Sequence, residues 1–149
     1  MSITVRSLTI ADWLRIAPLA AAAGNGMATE AEQRAAFTEI LASDYNLVLG
    51  AEHNGVLVGY LVAQDLGPRI HAGSRHRTAR FHDLYVAADH RRLGAGRALM
   101  DGLVAWARPR VRYVQWQAHE TRAAPFYERL GYRGQACPQP DYPEFEIEF

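Results

Sequence analysis

RFHDLYV (80–86), followed shortly by DHRRLGAGRALM (89–100), decides the fold of this 149-residue chain. The first run alternates and is rich in apolar residues, so it reads as a strand. LMDGLVAWA, from Leu99, has helical spacing, and a helix is expected from about Gly94 to Ala107. Ala95, Leu99, Leu103 and Trp106 fall on one face of it. Between strand and helix stand two arginines and two glycines. A helix N-terminus carries unpaired N–H groups and a partial positive charge. Glycines at 94 and 96 let a ligand approach the backbone, and Arg91, Arg92 and Arg97 add charge around it. RRLGAG (91–96) is therefore either a Gly-rich turn with solvated arginines or a pyrophosphate cradle. A dinucleotide fingerprint fails, because Leu99 stands where its third glycine belongs and no acid follows at ribose distance in YVQWQ.

Working outward, Ile3–Leu8 reads as a strand, and Thr9 with Asp12 has capping-box spacing for a helix through Leu19. Pro18 should loosen that helix and GNGM (24–27) break it. Thr29 and Glu32 repeat the capping box and open a helix to about Leu41. Strands at Tyr45–Glu52 and Val56–Gln64 flank Asn54-Gly55, a hairpin signal. Residues 66–79 are polar, rich in Gly and Arg and aperiodic, so a long loop is expected before a strand at Phe81–Val86. Val111–Ala118 follows as a strand. A helix capped by Thr121, with Pro125 in its first turn, should stop at Gly131. Tyr142–Phe149 ends in the strictly alternating EFEIEF. The order is β-α-α-β-β-β-α-β-α-β-β: a mixed α/β (α+β) domain, hairpin-built in its first half, with a β-α-β crossover in its second.

Composition excludes several chemistries. Acids and bases are sixteen each, so broad electrostatic capture of nucleic acid is not expected, although a local basic patch is allowed. Every basic residue is Arg. Without Lys there is no Walker-type phosphate loop and no Schiff-base lysine. The single Cys137 forms no intrachain disulfide and no thiolate metal site. His71, His76 and His82 span a loop and match no ligand spacing, so no metal is expected. Arg6, Asp12 and Arg15 interrupt the apolar N-terminus, which lacks signal-peptide order, and no segment is long and apolar enough to span a bilayer. The expectation is one cytoplasmic domain over residues 1–149, not bound to membrane.

Arg91-x-x-Gly94-x-Gly96 after a strand resembles the Q/R-x-x-G-x-G/A acetyl-CoA signature of the GCN5-related N-acetyltransferase (GNAT) family. RAAPFYERLGY (122–132) resembles that family's closing helix, N-x-x-A-x-x-x-Y-x-x-x-G-F. Ala123, Tyr127 and Gly131 match, Tyr132 stands for the Phe, and Glu120 replaces the Asn. One helix and one strand separate the blocks, as in the family, and VRSLTIADW resembles its opening. DLYV and VQW resemble the polyamine and Hpa2-like branch.

The resemblance implies a mixed sheet of six to seven strands with four flanking helices. It implies acetyl-CoA as cofactor, coenzyme A as product and no metal. The pyrophosphate would lie on residues 92–97 (Arg92, Leu93, Gly94, Ala95, Gly96, Arg97) with Arg91 beside it. The pantetheine would pair with backbone near Tyr85 and Val86, in a slot where strands 81–86 and 111–118 splay. An N–H there would polarise the thioester carbonyl. A primary amine would attack directly in a ternary complex, and Tyr127 would protonate the leaving thiolate. The base is left open among His82, Asp83, Glu120 and water; an imidazole titrates near neutrality, and Asp83 could instead attract a cationic amine. The acceptor is a small-molecule amine or a peptide N-terminus, with no nucleic acid or membrane partner, and a homodimer is allowed. The alternative is a non-catalytic acyl-CoA-binding regulatory module of the same fold, supported by the Glu120 departure.

Overall fold

The computed structural model describes residues 2–118, 121–135 and 141–149. Six strands, β1 (Ile3–Ser7), β2 (Asn46–His53), β3 (Val56–Asp65), β4 (Thr78–Val86), β5 (Tyr113–Gln117) and β6 (Glu144–Glu148), form one mixed sheet in the order β1-β2-β3-β4-β5-β6. Four α-helices accompany them: α1 (Trp13–Gly24), α2 (Glu30–Leu41), α3 (Ala95–Ala107) and α4 (Ala124–Arg129). The residues group into two compact units, Met1–Ala63 with Asp83–Ala105, and Gln64–His82 with Trp106–Phe149. No helix among the described residues is long and apolar enough to cross a membrane.

In the first unit, β1 runs antiparallel to β2 from Ile3 opposite His53 to Ser7 opposite Leu49. Asn54 (φ 52°) and Gly55 (φ 78°) close the next hairpin. Left-handed φ at both central residues is the twist that a two-residue hairpin needs. The Thr9–Asp12 pair closes a 3-10 turn, Ile10–Asp12, just ahead of α1, with Thr9 N–H donating to Asp12 Oδ2 at 2.8 Å; in the second capping box, Glu32 N–H donates to Thr29 Oγ1 at 3.1 Å and Thr29 N–H donates to Glu32 Oε1 at 2.9 Å. The first helix continues past Leu19 to Gly24 despite Pro18, and Asn25 ends it in the left-handed conformation (φ 48°). Ala20–Ala23 are the strongest helix formers, which outweighs the hydrogen bond lost at Pro18. Leu8, Trp13, Ile16, Leu19, Phe37, Val48, Leu57 and Tyr60 form the core. Helix α3 comes so close to the strands that a Cβ at Gly102 would lie 2.9 Å from Leu49 Cδ1.

In the second unit, β4 begins at Thr78, three residues earlier than expected, because Thr78, Ala79 and Arg80 pair in parallel with Tyr113, Val114 and Gln115. That register covers only these three pairs, while β4 continues to Val86 and β5 to Gln117. The base of the preceding loop is pinned by Arg77. Its Nε and Nη2 donate to both oxygens of Asp65 (2.7–3.1 Å), whose side chain is 3% exposed, and Gly67 N–H adds a bond at 2.8 Å. Strand β6 pairs antiparallel with β5 from Glu144 opposite Gln117 to Glu148 opposite Tyr113. Ahead of it, Gln135 and Glu144 form an isolated bridge. Helix α4 starts at Ala124, later than Thr121 would place it. It ends as expected at Gly131 (φ 100°), where Tyr132 N–H reaches Tyr127 O at 3.1 Å and Gly131 N–H reaches Glu128 O at 3.0 Å. These two bonds define a Schellman cap.

Candidate functional site

The first unit carries the strand-to-helix junction. Ala98 N–H donates to Gly94 O at 3.0 Å, which is the first bond of the α3 ladder. The N–H groups of Ala95, Gly96 and Arg97 precede that ladder and have no intrahelical acceptor. Gly94 has φ +89°, and a Cβ built there would meet nothing within 4 Å. Glycine is therefore required for the turn and leaves open space over the helix mouth. Arg92 is left-handed at φ 68° without being glycine, a conformation that costs about 1–2 kcal/mol. Arg92, Leu93 and Arg97 are exposed. Together, the free amides, the helix dipole and two exposed guanidinium groups can hold a diphosphate.

Arg91 is exposed beside them. Its Nε donates to Val86 O at 3.0 Å and its guanidinium lies 5.7 Å from the Tyr85 ring, so it ties the loop back onto the end of β4. Ala87 N–H donates to Val58 O at 2.8 Å, fixing the same strand end to β3. Gly59 is what lets β3 come so near; a Cβ there would stand 2.8 Å from Tyr85 O.

Strand β4 loses its alternation at 82–83. Ala79 and Phe81 are buried, but His82 and Asp83 are both exposed, although period 2 sends them to opposite faces. The Asp83 carboxylate acts on Tyr60, a residue that sequence reasoning did not single out. Tyr60 is 7% exposed and 6.2 Å from the Tyr85 ring. Its hydroxyl is pushed above its ordinary range, chiefly by burial and then by the charge of Asp83. Nothing in GYLVAQ distinguishes Tyr60 from an ordinary core residue.

Tyr127 belongs to the second unit and is 6% exposed. Its ring packs 5.0 Å from Phe126, 5.3 Å from Trp116, 5.5 Å from Phe145 and 6.0 Å from Phe81. Burial alone raises its hydroxyl above the usual tyrosine range, so it keeps its proton at physiological pH. Trp116 is fully buried, and its Nε1–H has no partner among the described residues. Glu120 and Cys137 lie outside the described residues. Among those described, no three His, Cys, Asp or Glu side chains converge as a metal site would need.

Known proteins share this frame. The chain is 32% identical over 135 residues, 88% of its length and 78% of the relative's, to the N-alpha-acetyltransferase RimI of Mycobacterium tuberculosis. The crystal structure of a ribosomal-protein-alanine N-acetyltransferase from Brucella melitensis superposes with TM-score 0.76 at 22% identity, covering 98% of this chain and 99% of that one. The PaiA N-acetyltransferase of Thermoplasma acidophilum, in complex with coenzyme A, gives TM-score 0.74 at 15% identity over 100% of both chains. Residues 10–132, from the first 3-10 turn through the Schellman cap of α4, match the acetyltransferase (GNAT) family, and the chain belongs to it.

Proposed function

We propose that the protein transfers the acetyl group of acetyl-CoA to the α-amine of a peptide or protein N-terminus. One observation carries the cofactor half: the open helix mouth of α3, with Gly94 at φ +89° and three amides ahead of the ladder. Open space over Gly94, amide donors and exposed arginines suit a diphosphate. The choice of an α-amine over a polyamine rests on the 32% identity to an N-alpha-acetyltransferase.

When bound, acetyl-CoA supplies an activated acetyl thioester. Ala95, Gly96 and Arg97 donate amides to its diphosphate, with Arg92 and Arg97 adding charge. Arg91 ties the loop to the end of β4 through its Nε and keeps its exposed guanidinium beside the diphosphate site. Backbone near Tyr85 and Val86 receives the pantetheine and donates to the thioester oxygen. Tyr127 holds the proton that the departing sulfur needs. His82, Asp83, Glu120 or water takes the proton of the attacking amine. The burial of Tyr127 among four rings favours a second reading, a non-catalytic acyl-CoA-binding module in which that residue only packs.

A thermal melt tests the cofactor half. Acetyl-CoA at about 100 times Kd adds about 2.7 kcal/mol, a rise of about 5–10 °C for a chain of this length. Adenosine gives no such rise, and Gly94→Ala should lose most of it. No rise with acetyl-CoA overturns the cradle. Thiol release with a lysine-free peptide tests the acceptor. Turnover requires its free α-amine, and turnover with spermidine but not with the peptide overturns the substrate class.

A further inference from the structure

Net neutrality conceals a segregation of charge. Stretches 66–82 and 106–118, both in the second unit, hold seven arginines and no aspartate or glutamate. Strands β4 and β5 are parallel, so the loops that enter them meet at one end of the pair. There, Arg112 N–H and Tyr113 N–H both donate to Arg77 O, at 2.9 and 3.3 Å. An open groove of about 460 Å³ lies at this end, lined by Ser74, Arg75, Arg108, Arg110, Arg112 and Phe149 among others. All four of these arginines are exposed.

Three of them are held by rings. Arg108 lies 4.9 Å from Phe149, Arg110 5.3 Å from Trp106 and Arg112 5.3 Å from Tyr113. Arg110 also donates to Trp106 O at 2.8 Å. A guanidinium stacked on a ring keeps its plane fixed and its N–H edge turned outward, so less rotamer freedom is lost when it takes an anion. The acids of β6 and Asp65 already have partners: Asp65 is paired with Arg77, Glu144 with Arg80 and Glu148 with Arg112, and Glu146 accepts from Gln115. Arg75, Arg108 and Arg110 have no acidic partner among the described residues.

We propose that this groove binds the phosphate backbone of a single-stranded nucleic acid. An acidic peptide would use the charges and leave the ring-backed guanidinium planes without a stacking partner. Within the groove Phe149 lies under Arg108, and outside its lining His76 stacks on Tyr113 at 6.3 Å. Phosphates take guanidinium edges while bases stack on the guanidinium planes. None of these residues belongs to the acetyl-CoA cradle, so the two proposals stand or fall separately.

The test is fluorescence anisotropy of the full chain with labelled 12-nucleotide oligouridylate and oligothymidylate between 50 and 200 mM KCl. Three or four phosphate contacts give a log–log salt slope of about −2 to −3, a weakening of about 20–50-fold across that range. Binding of both oligonucleotides, or of only one, supports the proposal and tells RNA from DNA. The double variant Arg108→Gln, Arg110→Gln should bind at least about tenfold more weakly, with a slope shallower by about 1.4. Arg34→Gln, on α2, should change nothing. If the double variant fails to fold, Arg75→Gln alone should still reduce the slope. Three results overturn the proposal: no binding at 50 mM KCl, unchanged binding in folded variants, or equal displacement of the oligonucleotide by a polyglutamate 12-mer.

Discussion

Replacing Tyr127 by Phe removes one oxygen and keeps the ring. The four aromatic neighbours at 5.0–6.0 Å contact the ring, so their packing survives. The cost to folding should be about 1 kcal/mol or less. Tyr127→Ala removes the ring from a 6%-exposed site; an aromatic-to-alanine change in a core costs about 3–5 kcal/mol, or about 6–20 °C in Tm here. The pair of variants thus separates hydroxyl from ring. If the hydroxyl protonates the leaving thiolate, kcat in Tyr127→Phe falls about 10²-fold or more, while acetyl-CoA affinity and Tm hold. Burial raises the folded-state pKa above the unfolded value near 10. The proton therefore stays on through neutral pH, and the kcat deficit should be constant from about pH 6 to 9. The same linkage has a sign for stability: the contribution is complete below pH 10 and is lost as pH rises above it, so Tyr127→Phe should soften the alkaline decline in Tm. Stopped assays of thiol release, beside melts at matched pH, read both quantities. Unchanged turnover in a folded Tyr127→Phe enzyme would refute the catalytic role and leave Tyr127 as packing.

Asp12 accepts from Arg6 at 2.7 and 3.0 Å and from Thr9 N–H at 2.8 Å, and the Arg6 hydrogen bond leads in holding its pKa down to about 2 from 3.8. A depressed carboxylate stabilises above its unfolded pKa and loses that stability as pH falls through the folded one. With Arg6 partly solvated, the loss between about pH 4 and pH 2 should be about 1 kcal/mol, read by urea titration and absent in Asp12→Asn. Arg77→Ala strands the Asp65 carboxylate, whose side chain is 3% exposed. Stability should fall by about 3–5 kcal/mol, and Asp65→Asn with Arg77→Ala together should cost less than the sum of the two single changes.

Local signals in the sequence were strong where one residue type satisfies one backbone need. Thr29 with Glu32, Asn54 with Gly55, and Gly131 each specify a cap or turn through their own hydrogen bonds or left-handed φ. Boundaries set by long-range pairing were not readable. Strand β4 starts at Thr78 because of partners at 113–115, more than thirty positions away. The strand-to-helix junction was legible because glycines between a strand and a helical pattern mark a turn, and Gly94 takes the positive φ that such a turn needs. The bond from Arg91 to Val86 O and the closeness of Gly59 to Tyr85 O leave no trace in residue type. The charge totals average over the chain, and sixteen against sixteen says nothing of two stretches without any acid.

The closing motif illustrates how far a spacing can be trusted. Tyr127, Gly131 and Tyr132 stand at the positions a Schellman cap requires: Gly131 is the left-handed residue, and Tyr132 N–H bonds back to Tyr127 O. The cap also favours an apolar contact between its first and last residues; here the two tyrosine rings share Trp116, at 5.3 and 5.4 Å. Capping and core packing therefore account for an aromatic, a glycine and a second aromatic at this spacing without any chemistry. What they do not account for is a hydroxyl on Tyr127. Phe would serve the cap and the core equally well, with no polar atom to desolvate. That oxygen is the one feature of the motif that capping and packing leave unexplained, and it is the atom that Tyr127→Phe removes.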